Sequence, residues 1–220
     1  MTDSKTDQVR SFFHGYAESF DGIYMQTKKR GAITKLIDHL FRKSMYLRFK
    51  RTLKELQNPS INTVLDVGCG PGRYCVDYVK MGKDVTGVDL AQGMLQIARQ
   101  LCETETPKGK FKFIQGDYMQ MEFPQKFDAA VLMGLFDYIE DPVTMLKKLK
   151  KETRHMIVGS FPKAGGLLAF QRKIRYKIRS CPLYFYSRAD LERILKQADL
   201  NEFTIDETDR EFYLKVTLDA

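Results

Sequence analysis

Three glycines stand at alternate positions in Asp66-Val-Gly-Cys-Gly-Pro-Gly72, directly after the β-favouring run Thr63 to Val67. A chain that leaves a strand and turns at once into a helix needs glycine where it bends sharply and where its backbone approaches a ligand. Spacing separates the ligands that such loops take. A dinucleotide loop reads G-x-G-x-x-G, which would put its third glycine at position 73, where this chain has Arg73. A phosphate-cradling loop needs Lys and then Ser or Thr after its last glycine, and Arg73 and Tyr74 stand there instead. Asp66 closes the first strand, and Asp89 closes the next one, 19 residues beyond Gly70, where a carboxylate can accept both hydroxyls of a ribose. The chemistry on offer is recognition of a nucleoside by a tight glycine turn and a distant carboxylate.

These residues need a scaffold, and the alternation of patterns along the chain supplies one. Strand-like runs at Thr63 to Val67, Val85 to Asp89, Phe111 to Gln115, Ala129 to Met133 and Met156 to Phe161 alternate with helical stretches from about Gly72 to Lys80 and from Gln92 to Leu101. Such alternation predicts a parallel sheet covered on both faces. Asp141 before Pro142 marks a helix start, and so does Ser187 with Asp190 three residues on. The last two runs, Phe203 to Ile205 and Phe212 to Val216, are separated by the charged turn Asp206 to Arg210, which predicts an antiparallel hairpin. Before the first strand, residues 7 to 57 carry helical periodicity, with Val9, Phe12, Phe13, Tyr16 and Phe20 in one set and Ile33, Ile37, Leu40 and Phe41 in another. The expected division is a helical cap at 1–59 and a core at 60–220 with an insertion at 163–182.

Across residues 60 to 162 this arrangement resembles the class I S-adenosylmethionine-dependent methyltransferases, whose first motif ends a strand with an acid and continues as G-x-G-x-G, here Asp66, Gly68, Gly70 and Gly72. The resemblance implies a Rossmann-like α/β fold with a seven-stranded, mostly parallel sheet between two helical layers and an antiparallel C-terminal hairpin. It implies S-adenosylmethionine as cofactor, with Asp89 on the ribose and Asp117, after the third strand, on the adenine amino group. Tyr118 lies beside Asp117, Leu90 beside Asp89, and Met133 at the end of the fourth strand. Met94 can pack its thioether on the purine or serve as an ordinary core residue of its helix.

The reacting face should lie beyond the carboxyl end of the fourth strand. Many small-molecule members carry a histidine pair there, whereas this chain has Asp137 and Tyr138. Both can accept a proton, which favours a hydroxyl acceptor and O-methylation, although each also suits a turn or a packed wall. The stretch Tyr16-Ala-Glu-Ser-Phe-Asp21 with Tyr24 resembles the opening of small-molecule methyltransferases, in which a helix folds over the cofactor. Tyr16 then either meets the sulfonium or packs between helices. In the insertion, Leu167, Phe170, Ile174 and Ile178 share one helical face, and Arg172, Lys173, Arg175, Lys177 and Arg179 form the other. That basic face is either solvated or meets an acidic small molecule, an anionic membrane or RNA phosphate. The insertion and the Asp-Tyr pair resemble quinone- and porphyrin-pathway methyltransferases.

Composition narrows the field further. The chain has 220 residues, 43% hydrophobic, enough for one core and its additions. Its net charge of +8 suits acidic partners in general. Cys69, Cys75, Cys102 and Cys181 form no C-x-x-C pair and have no clustered histidines beside them, so a metal centre is not expected. No apolar run reaches the roughly 18 residues of a membrane span. The polar opening Met1 to Arg10 lacks an export signal, which predicts a cytoplasmic protein. The tetrapeptide that marks methylation of exocyclic base amines is missing, so a small-molecule acceptor is expected. RNA modification and non-catalytic cofactor binding are the rival readings.

Overall fold

The computed structural model describes residues 45–165 and 183–218. Its elements follow in the order α1 (residues 45–56), β1 (Thr63–Val67), α2 (Arg73–Lys80), β2 (Asp84–Asp89), α3 (Gln92–Thr104), β3 (Phe111–Gln115), β4 (Phe127–Leu132), α4 (Pro142–Glu152), β5 (Thr153–Pro162), α5 (Arg188–Gln197), β6 (Phe203–Glu207) and β7 (Glu211–Thr217). The strands form a seven-stranded sheet in the order β3-β2-β1-β4-β5-β7-β6. The first five are parallel, and β7 pairs antiparallel with both β5 and β6. The strand order reverses between β1 and β4, and ligands of open parallel sheets bind at the carboxyl ends of the strands flanking such a reversal.

The sheet is apolar on both faces because helices cover both. Alternate residues of a strand point to opposite sides, and β1 divides accordingly. Leu65 and Val67 join one cluster with Met145, Leu146 and Leu149 of α4 and Leu191 and Leu195 of α5. Val64 joins the other with Leu56 of α1, Cys75, Tyr78 and Val79 of α2, and Leu95, Ala98 and Cys102 of α3. Three layers result. Of the expected N-terminal cap, the described part is α1; its earlier residues and positions 166–182 of the insertion lie outside the described residues.

Several boundaries differ from the sequence reading. β4 ends at Leu132, so Met133 lies beyond it, where the chain bends toward Gly134 at φ 78°. β5 starts at Thr153, earlier than Met156, because Thr153 pairs with Phe127. β6 continues to Glu207, and Thr208 closes the hairpin turn by exchanging hydrogen bonds with Glu211. Both helix starts are where the cap residues put them. The Asp141 carboxylate accepts the Thr144 N–H at 3.0 Å, and Ser187 and Asp190 form a reciprocal capping box.

Candidate active site

The turn after β1 holds all three glycines in the left-handed region, with φ of 71° at Gly68, 53° at Gly70 and 73° at Gly72. They differ in what a side chain would meet. A Cβ at Gly68 would lie 2.8 Å from Leu135 Cδ1, and one at Gly72 would lie 2.7 Å from Ala98 Cβ. A Cβ at Gly70 would meet nothing within 4 Å. Gly68 and Gly72 therefore close the turn against the protein, while Gly70 presents bare backbone to open space.

Asp89 ties β2 to this turn. Its Oδ2 accepts the Gly70 N–H and its Oδ1 the Ala91 N–H, each at 2.9 Å. Burial pushes the carboxyl above its usual range, opposed by these backbone donors. Each carboxylate oxygen has room for a second donor, so the pair can receive a ribose diol beside the open backbone of Gly70. The residues present thus fit a nucleoside cofactor. Leu90 follows, half-buried, and its carbonyl accepts from Gln115.

Asp66 is buried on the face that α2 covers, where the Cys75 thiol donates to its Oδ2 at 3.3 Å. Burial raises its pKa to about 7, and the nearby Asp89 charge adds to the effect. A hydrogen bond with Cys69, and burial after it, push the Cys75 thiol up, and burial pushes the Tyr78 phenol up, so Cys75 and Tyr78 stay protonated at neutral pH.

Asp117 opens the short 3-10 turn Tyr118–Gln120 after β3, and its Oδ1 accepts the Met119 N–H at 2.9 Å. Tyr118 does not present its hydroxyl to the site. Its side chain runs into the core and donates to Glu152 at the end of α4. Met94 is 1% exposed, which places it in the packing of α3 and leaves almost no surface for a purine. Tyr16, Tyr24, Cys181 and the apolar and basic faces of the insertion lie outside the described residues.

On the reacting side, Asp137 is buried in the turn after β4, and its carbonyl accepts the Tyr184 N–H at 2.9 Å. Tyr138 is half-buried beside it, its N–H bonded to Leu135 O. Tyr186 braces this turn by donating to the carbonyls of Phe136 and Ile139, and its ring stands edge-on to Phe161. Burial raises the Tyr186 pKa, as does the negative charge of Asp137.

The residue that sequence reasoning missed is Arg48. From α1 it reaches across the carboxyl edge of the sheet, with Nε donating to Tyr74 Oη at 3.0 Å and Nη1 donating to Ser160 Oγ and Glu211 Oε2 at 3.1 and 2.8 Å. Among the described residues Nη2 makes no hydrogen bond. Ser160 Oγ in turn accepts the Gly134 N–H at 2.9 Å. Burial disfavours the charge on Arg48, but Glu211, Tyr74 and Asp137 together outweigh that penalty and raise its pKa. Arg48 thus joins the first turn of α2, on the cofactor side, to β5, β7 and the segment after β4. The one hint in the sequence is Ser160, a hydroxyl inside the apolar run of β5; nothing marks Arg48 among the other basic residues of its helix.

Comparison with known proteins agrees with this geometry. A family model described as a methyltransferase domain matches residues 64–155. A ubiquinone biosynthesis O-methyltransferase of Hydrogenovibrio crunogenus is 31% identical over 103 residues, covering 46% of this chain and 42% of that protein. One of the same name from Aliivibrio fischeri is 29% identical over 153 residues, covering 68% of this chain and 58% of that protein. The chain thus spans roughly two fifths to three fifths of the length of these two curated relatives. Among solved structures, magnesium protoporphyrin IX methyltransferase of Synechocystis PCC 6803 with bound SAH superposes with a TM-score of 0.75 at 19% identity, covering 97% of this chain and 99% of that one. The topology and the matched domain lead to one conclusion: residues 64–155 match a methyltransferase domain, carried on the fold seen in a solved methyltransferase.

Proposed function

We propose that this chain transfers a methyl group from S-adenosylmethionine to a hydroxyl oxygen of a small-molecule acceptor. The observation that carries the reading is the meeting, at the carboxyl edge of the sheet, of a nucleoside cradle at Gly70 and Asp89 with a buried polar group built from Asp137, Arg48, Ser160 and Tyr186. When bound, the cofactor supplies an electrophilic methyl group on a positively charged sulfur. Asp89 holds the ribose, Asp117 takes the adenine amino group, and Gly68, Gly70 and Gly72 let the backbone turn beneath the nucleoside. Arg48, through Nη2, binds the carboxylate at the amino-acid end of the cofactor, a pairing suited to a planar guanidinium.

Asp137 accepts the proton that leaves the acceptor hydroxyl as the new C–O bond forms, and Tyr138 lines the same wall. Orientation of the reacting atoms can supply roughly 7 to 11 kcal/mol, and a general base adds about 10²- to 10⁴-fold in rate. Asp137 is thus an accelerator of a reaction that alignment already drives. The name shared by the two curated relatives, ubiquinone biosynthesis O-methyltransferase, supports transfer to an oxygen of a small molecule.

The test is a methyl-transfer assay with labelled cofactor against catechols bearing a long apolar tail and against magnesium protoporphyrin. Label on a catechol oxygen supports the proposal. Label only on the porphyrin carboxylate moves the acceptor class, and transfer to a nitrogen or carbon overturns O-methylation. Asp137→Asn should lower kcat by about 10²-fold or more with cofactor affinity unchanged.

A further inference from the structure

The turn that carries Asp117 is gripped from below by the end of α4. Tyr118 and Met121, one and four positions after Asp117, are both held. The Tyr118 hydroxyl donates to Glu152 Oε2 at 2.6 Å. Lys148 Nζ donates to the Met121 carbonyl and pairs with Glu152 Oε1 at 2.6 Å, and it sits 5.1 Å over the Tyr118 ring. The same ring stacks near Phe123, with centroids 6.4 Å apart. Lys148 and Glu152 are an i, i+4 pair with side chains only 17% and 14% exposed. A mostly buried ion pair recovers little of its desolvation cost, and apolar residues of the same volume would pack there at least as stably. What polar groups add is direction, since each bond fixes one atom of the turn.

We propose that Tyr118, Lys148 and Glu152 form a positioning bracket that holds Asp117 in the geometry selecting a 6-aminopurine over a 6-oxopurine. The inference rests on the reading of Asp117 as the adenine acceptor. Within its own turn Asp117 accepts the Met119 N–H at its carboxylate and the Gln120 N–H at its carbonyl, and Gly116, just before it, donates its N–H to the Asp89 carbonyl at 3.0 Å. Without the bracket the carboxylate swings with its turn. The bracket also gives α4 a second task. Its first turn, capped by Asp141, leads out of the segment bearing Asp137, and its last turn secures the purine side.

The experiment compares the calorimetric affinity of S-adenosylhomocysteine with that of S-inosylhomocysteine, which differs in carrying an oxo group at the purine 6-position. The wild type should prefer the amino ligand by about tenfold or more, the worth of one hydrogen bond to a charged group. Tyr118→Phe and Lys148→Met should each cut this preference at least threefold, and Glu152→Gln, which keeps an acceptor for Tyr118, should cut it less. A purely structural bracket would weaken both ligands equally and leave the ratio intact, which overturns the proposal. If Tyr118→Phe fails to fold, Lys148→Met and Glu152→Gln carry the comparison. Asp117→Asn separates the two layers. A ratio unchanged in that variant refutes the assignment of Asp117 and the bracket's role with it. A ratio lost in Asp117→Asn but intact in the bracket variants refutes the bracket alone.

Discussion

The Asp89 carboxylate accepts the Gly70 N–H at 2.9 Å, so the group proposed to receive the ribose also fixes the glycine turn beside it. Removing it loses two functions at once. Asp89→Ala should weaken S-adenosylmethionine binding by about 10²-fold or more, the scale of two charge-assisted hydrogen bonds, and isothermal calorimetry measures it directly. Asp89→Asn keeps one oxygen acceptor and should retain part of the affinity. Equal losses in the two variants would mean that loop order, and not the ribose contact, dominates.

Two glycines of the same turn should respond differently to the same substitution, one mainly in stability and the other mainly in cofactor binding. Gly72→Ala drives a Cβ to 2.7 Å from Ala98 Cβ at φ 73°, so it should lower stability by about 2 to 4 kcal/mol in denaturant titration. Gly70→Ala, at φ 53° with nothing within 4 Å, should cost only about 1 to 2 kcal/mol while obstructing the cofactor. A Gly70→Ala protein that binds the cofactor normally would move the nucleoside away from that backbone.

Arg48 and Glu211 form a largely buried ion pair, with side chains 12% and 15% exposed. Deleting the cation leaves Glu211 without its guanidinium partner. Arg48→Ala should therefore destabilise the fold by about 3 to 5 kcal/mol, more than Arg48→Met combined with Glu211→Leu, which replaces the pair by apolar volume. Thermal denaturation of the single and double variants reads the difference. Cofactor binding should fall in both, because each removes Nη2.

Asp66 should make stability depend on pH. Its carboxyl titrates near 7 in the folded chain and near 3.8 when unfolded, so the folded state holds a proton that the unfolded state has lost across that window. Stability from this group is complete below 3.8 and drains away as pH rises through 7, by at most about 1.4 kcal/mol per pH unit. Unfolding free energies measured from pH 5 to pH 8 should fall with this slope up to about 7 and level off above it in the wild type, and Asp66→Asn should flatten the fall. An unchanged slope in the variant would assign the titration elsewhere.

Much of this protein was legible before any coordinates. The G-x-G-x-G spacing, Asp89 at its distance and the alternation of strand and helix are local signals. Each states a backbone need, such as positive φ, a turn or a covered strand, that the residues announce by type. The caps at Asp141 and Ser187 were legible for the same reason, since their hydrogen bonds close within three residues. Strand ends were less so, because the length of β5 depends on whether Phe127 has a partner at Thr153.

By itself the sequence determined the fold class and the glycine turn, because those follow from short-range backbone geometry and from the order of strands and helices along the chain. The tertiary structure alone decided which polar side chains face the site. Arg48, Ser160 and Glu211 meet from positions up to 163 residues apart, and Tyr118, adjacent to Asp117, turns its hydroxyl the other way to Glu152. The direction of a side chain is set by which neighbours the folded sheet brings within reach, and burial favours those directions in which a polar group finds a partner. No periodicity along the chain carries that information.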